Sequence, residues 1–127
     1  MRAALLVALL IVSVAPAHAA DPSAGERAFQ RCYSCHSVVA GEDKLQGPNL
    51  NGVIGRRAGA RAGYGYSEAM IAAGARGLVW TRETLERYLD DPNAVVPGTT
   101  MASPPGLLDP QIRAEVLDYL EQADKRR

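Results

Sequence analysis

The stretch RCYSCHS, Arg31 to Ser37, contains the only two cysteines of this 127-residue chain and sets a histidine directly after the second. Its surroundings decide what kind of fold presents it. Upstream, Asp21-Pro22 has the form of an N-cap followed by proline at the first helical position, and Ser23 to Glu26 that of a capping box. With Ala24, Ala28 and Phe29 on one face, these signals predict a helix from about Pro22 to Tyr33. Downstream, from Val38 to Ala62, periodicity vanishes. Glycines 41, 47, 52, 55 and 59, with Pro48, mark a long irregular segment. Such a segment inside a small domain is usually functional or wrapped around something. The pattern implies a core that protein alone does not fill.

Three further helices are predicted. Ser67 caps a short one through Ala73, stopped by Gly74. Thr81 caps another, with Trp80 and Leu85 placed as a hydrophobic staple; Leu85, Tyr88 and Leu89 form its apolar face and Pro92 ends it. Asp109-Pro110 opens the last, where Ile112, Val116, Tyr119 and Leu120 follow i, i+4, i+7 and i+8. Between these two, Asn93 to Leu107 is a loop rich in proline and glycine that carries Met101. No stretch alternates as a strand does, and no repeat or second domain boundary is present. The expected fold is all-α, with about four to five short helices and long loops. The charged end Asp124-Lys125-Arg126-Arg127 reads as a fraying, solvated helix end.

The N-terminus has a separate purpose. Arg2, the apolar run from Ala3 to Val14 broken only by Ser13, and Ala17-His18-Ala19 form a secretory signal pattern. Residues 1–19 are therefore expected to be a cleaved leader and 20–127 one domain, exported to the periplasm. The chain has 14 basic and 14 acidic residues, and loss of Arg2 leaves one acidic residue in excess. Such neutrality argues against nucleic acid as a partner. The apolar run is short for a bilayer span, so no stable membrane insertion is expected after cleavage. His18 departs with the leader. His36 is then the sole histidine.

Four uses of Cys32, Cys35 and His36 can be compared. A disulfide would close a tiny loop and constrain little of the unfolded chain. A thioredoxin-like dithiol belongs at a helix start in a βαβ setting, whereas this motif sits at a helix end. A structural zinc site needs four ligands, and only three are present. Covalent haem attachment uses all three. Two thiols at this spacing can add to the two vinyl groups of one porphyrin, with the adjacent histidine held under the iron. For the sixth iron position the soft candidates are Met70 and Met101. Met70 lies on an alanine-rich helix, where methionine is more often core packing. Met101 follows Pro97-Gly98-Thr99-Thr100, a turn able to carry a loop over a flat cofactor, and is preferred. Histidine and methionine together raise the iron's potential and fill both axial positions, which suits electron transfer.

The segments CYSCH, GPNLNGVIGRRAG, YGYSEAM, Trp80 and RYLDDPNAVVPGTTM occur in the order found in class I c-type cytochromes. The chain resembles their soluble mitochondrial and photosynthetic-bacterial carriers over essentially the whole expected domain. The resemblance implies a small cytochrome c-like fold holding one haem c, attached through Cys32 and Cys35, with iron between His36 and Met101. It implies that the Pro48 carbonyl receives the His36 ring N–H, and that Arg56, preferred over Arg57, lies with Tyr66 and Trp80 around a haem propionate. Tyr88 would stand beside the axial methionine. Gly25 and Phe29 would cross the C-terminal helix near Tyr119. The implied function is a monomeric, non-enzymatic carrier passing single electrons between redox-partner proteins, some of them membrane-bound.

Four departures accompany the resemblance. Met70 stands where the mitochondrial proteins commonly carry asparagine. The stretch between Tyr66 and Trp80 is slightly longer than theirs. Ser103 replaces an aromatic residue usual after the axial methionine. Lys44 and Lys125 are the only lysines, so the familiar lysine-rich ring is absent. An enzyme or gas-binding haem protein, with an open distal side, and a dedicated subunit of a larger redox complex remain the competing readings.

Overall fold

Ser23 begins the first helix. Its hydroxyl accepts the Glu26 N–H at 3.1 Å while the Glu26 carboxylate accepts the Ser23 N–H at 2.7 Å. This reciprocal capping opens α1, Ala24–Phe29. The computed structural model describes residues 23–102 and 107–126. The expected leader, the Asp21-Pro22 pair and Ser103 lie outside them.

α1 is shorter than its sequence suggests, because the cysteine motif forms a turn of its own. Cys32 N–H bonds the Phe29 carbonyl at 2.8 Å, and the N–H groups of Cys35 and His36 both reach the Cys32 carbonyl, at 3.0 and 2.8 Å. Two of these three bonds span three residues, which winds the chain more tightly than an α-helix. The helix therefore gives way at Phe29 rather than continuing to Tyr33.

α2, Glu68–Ala75, starts at the Ser67 cap but runs past Gly74. It ends at Ala75 with Arg76 as its cap, followed by Gly77, whose φ of +95° suits glycine. Gly74 has another role, since a Cβ there would lie 2.0 Å from the Ala58 carbonyl oxygen. Gly74→Ala removes the helical penalty of glycine, about 1 kcal/mol, yet forces backbone apart at a cost of about 1–3 kcal/mol. The expected net result is a lower melting temperature. A higher one would show that the segment around Ala58 yields freely.

α3, Arg82–Asp90, follows the Thr81 cap, and its Leu85, Tyr88 and Leu89 are buried along with Trp80, as the staple pattern requires. Pro92 ends this helix and also starts the next. Asp91 accepts the N–H groups of Asn93 and Ala94, at 3.0 and 3.1 Å, and opens the one-turn α4, Pro92–Val95. The sequence alone read that stretch as loop. α5, Pro110–Lys125, begins at the Asp109 cap. Among the described residues there is no sheet, only a single bridge between Arg57 and Val79, and no helix is long and apolar enough to cross a membrane.

α1 and α5 cross at Gly25, where a Cβ would stand 2.8 Å from both the Glu115 carbonyl oxygen and Tyr119 Cβ. Phe29 packs with Tyr33 and Tyr119, ring centres 4.8 and 5.0 Å away, and the two tyrosine hydroxyls share a 2.7 Å hydrogen bond. α3 is tied to α5 by Arg113, only 8% exposed, which pairs with Glu86 at 2.7 Å and Asp90 at 2.9 Å. Its guanidinium also donates to the Leu107 carbonyl at 2.6 Å, so the buried cation is fully partnered. The α5 end departs from expectation. Asp124 is half-buried, and its carboxylate accepts the Gly52 and Ile54 N–H groups at 2.7 and 3.1 Å. It is a tie across the molecule rather than part of a solvated tail.

Candidate functional site

A cavity of about 590 Å³ opens between the cysteine turn, the irregular segment, α3 and the strip from Thr99 to Ala102. Cys32, Cys35, His36, Pro48, Arg56, Tyr66, Trp80, Tyr88 and Met101 all line it. Met70 lines it too, and is buried in the core. Arg57 is exposed and lies outside the lining. Of the two arginines, only Arg56 faces the cavity.

His36 is the most constrained group. Its Nδ1 is 2.8 Å from the Pro48 carbonyl oxygen. A carbonyl only accepts, so Nδ1 carries the proton and Nε2 keeps its lone pair. Burial pulls the imidazole's pKa down, against the opposing bond to Pro48, and so favours the neutral ring a metal requires. The backbone of Gly47 presses on the same ring. A Cβ at Gly47 would come within 2.4 to 2.8 Å of three ring atoms. Gly47 N–H in turn bonds the Cys35 carbonyl at 2.7 Å, which fixes the Gly47-Pro48 segment against the cysteine turn.

Both thiols are free, Cys32 buried and Cys35 partly so. Burial pushes the Cys32 thiol up to about 11, with Arg31 pulling weakly the other way. A reactive cysteine has a depressed value, so Cys32 is unlike the attacking thiol of a disulfide oxidoreductase.

Arg56 and Trp80 reach the cavity through a short antiparallel pairing of loops. Gly55 N–H donates to the Trp80 carbonyl and Trp80 N–H to the Arg56 carbonyl, each at 2.8 Å; Ala58 N–H donates to the Leu78 carbonyl at 2.9 Å. The Arg56 guanidinium donates to the carbonyls of Asn49, at 3.0 Å, and Asn51. Burial lowers its pKa, opposed by Tyr66 and by the Asp124 carboxylate. Tyr66 also accepts the Arg61 N–H through its hydroxyl at 3.3 Å. Trp80 and Tyr88 pack at a tilt of 54° with ring centres 4.8 Å apart, and the Tyr88 hydroxyl is 2.7 Å from that of Thr99. Thr99 Oγ1 also receives the Met101 N–H at 3.4 Å. Tyr88 is thus joined to Met101 through Thr99.

Several contributors went unread in the sequence. Asn49, 2% exposed, donates its amide to the Val39 and Glu42 carbonyls at 2.7 and 3.1 Å and accepts the Asn51 N–H at 2.7 Å. It organises the loop that receives Arg56. Tyr64 lines the cavity and donates its hydroxyl to the Gln46 carbonyl at 2.7 Å. An asparagine between proline and leucine was the available signal for the first. Tyr64 offered none beyond its place in the YGYSEAM segment.

The residues present fit a haem. The cavity falls within the roughly 300–1,000 Å³ typical of cofactor sites, and the thiols, the bare imidazole nitrogen and the thioether all line it. A family model described as cytochrome c matches residues 22–124. The chain belongs to the cytochrome c family. It is 42% identical to cytochrome c2 of Rhodomicrobium vannielii over 94% of this chain and 93% of that relative. It is 43% identical to cytochrome c of Ginkgo biloba over 81% of this chain and 88% of the plant protein. The solved cytochrome c2 from Rhodospirillum centenum superposes with a TM-score of 0.72 at 39% identity, covering 77% of this chain and 93% of that one. The all-α expectation and the family resemblance therefore hold. As a cytochrome c, the protein carries covalently attached haem c and is an electron-transfer protein.

Proposed function

We propose that this cytochrome c is a monomeric, monohaem periplasmic carrier that passes single electrons between larger redox proteins. Residues 1–19 are its cleaved leader and 20–127 its one domain. Cys32 and Cys35 hold the haem through thioethers, and His36 and Met101 supply the axial pair. The observation that carries this reading is the His36–Pro48 hydrogen bond, which leaves Nε2 free as a donor in the cavity that Met101 also lines. Bound haem iron supplies a one-electron couple. The chain keeps that couple in one geometry: Pro48 and Gly47 fix the imidazole, while Thr99 and Tyr88 seat the Met101 backbone. Arg56, Tyr66 and Trp80 surround a haem propionate, and Arg56 supplies the positive charge that such a group needs. No proton transfer or substrate is required, so the protein is not an enzyme.

With Lys44 and Lys125 its only lysines and its acidic and basic residues balanced, the carrier steers partners by neither a lysine-rich ring nor a strong net charge. Its electron-transfer rates are expected to vary weakly with ionic strength, measurable by stopped flow. The function itself is tested by adding carbon monoxide to the reduced protein. Saturated axial positions give an unchanged spectrum. Ready binding would convert the reading to a gas-binding or catalytic haem protein.

A further inference from the structure

Asp124 lies in the last turn of α5, where the helix dipole disfavours a carboxylate and a cation is the usual choice. A residue that breaks a local rule this way calls for a compensating gain. The carboxylate takes the Gly52 N–H at 2.7 Å and the Ile54 N–H at 3.1 Å, two donors of one turn about seventy residues away in sequence. The Asn51 carbonyl beside that turn, with that of Asn49, receives the Arg56 guanidinium. Arg56 lines the cavity and Asp124 does not.

We infer that Asp124 is a positioning residue for the redox centre: by clamping the Gly52–Ile54 turn from the C-terminal helix, it holds Arg56 against the cofactor. The inference rests on the haem reading above. Its electrostatic side agrees, since the Asp124 carboxylate supports the Arg56 charge against burial. The two effects of removing Asp124 have opposite signs. Losing a carboxylate charge alone favours the reduced iron and raises the midpoint potential. Releasing Arg56, the nearer charge, disfavours the reduced iron and lowers it.

The test is a redox titration of purified holoprotein bearing Asp124→Ala, Arg56→Gln or both. Asp124→Ala is expected to lower the midpoint, by up to about tenfold in the redox equilibrium constant or about 59 mV for one electron. Arg56→Gln is expected to lower it also, and the double variant no further than Arg56→Gln alone. A rise, no change, or additive shifts would overturn the inference. Where the alanine protein does not accumulate, Asp124→Leu keeps the branched side-chain shape but has no acceptor for the Gly52 and Ile54 N–H groups; its midpoint is also expected to fall, and a rise there overturns the proposal equally. Absence of a haem couple in the unaltered protein would instead remove the haem reading itself.

Discussion

Replacing Cys32 and Cys35 together by serine is expected to abolish accumulation of folded protein in the periplasm. The reason is the size of what the cofactor fills. Without it the lining of a cavity of about 590 Å³ is left to water, and each Å² of apolar surface so exposed forfeits about 25 cal/mol. An ordinary domain has only about 5–15 kcal/mol in hand. The chain cannot offset such a void, because its irregular segment is held by polar ties, those of Asn49 and Arg56 among them, more than by packing. Periplasmic yield, haem staining and far-ultraviolet circular dichroism measure the outcome. Normal soluble yield with native helicity and no haem would show that the protein closes its core without the cofactor.

Met101→Ala is expected to change the chemistry while leaving the fold. The covalent haem and the bond to His36 remain, since the cysteine turn and the Gly47-Pro48 segment do not depend on the methionine strip. The sulfur-to-iron charge-transfer absorption of the oxidised protein disappears, the midpoint potential falls, and the reduced protein binds carbon monoxide. Thr99 anchors the start of that strip through its hydrogen bond to Tyr88. Met70→Leu is the control. It conserves volume, is expected to cost under about 1.5 kcal/mol, and leaves spectrum and potential unchanged. Loss of the absorption in Met70→Leu would exchange the roles of the two methionines.

What the sequence made legible was local. Ser23 with Glu26, Ser67, Thr81 and Asp109 each satisfy helix donors a few residues away, so their meaning is contained in short windows. The cysteine motif was legible for the same reason. Arg113, Asp124 and Asn49 were not, because their partners are Glu86, Asp90 and Leu107, the Gly52–Ile54 turn, and the Val39 and Glu42 carbonyls. No spacing rule connects such pairs. Gly74 illustrates a subtler failure. Read along the chain it is a helix terminator, yet the helix passes through it because the Ala58 carbonyl needs the space. The α4 turn was missed since Pro92 was read only as an end.

The crossing of α1 with α5 also constrains the order of events as the protein is made. Phe29 and Tyr33 meet Tyr119 across nearly the whole chain, so this contact is absent until the final helix has been synthesised. Contacts of such long sequence separation form late and slowly. The cysteine turn adjoins this crossing through the bond from Cys32 N–H to the Phe29 carbonyl, so it gains its packed setting only when α5 arrives.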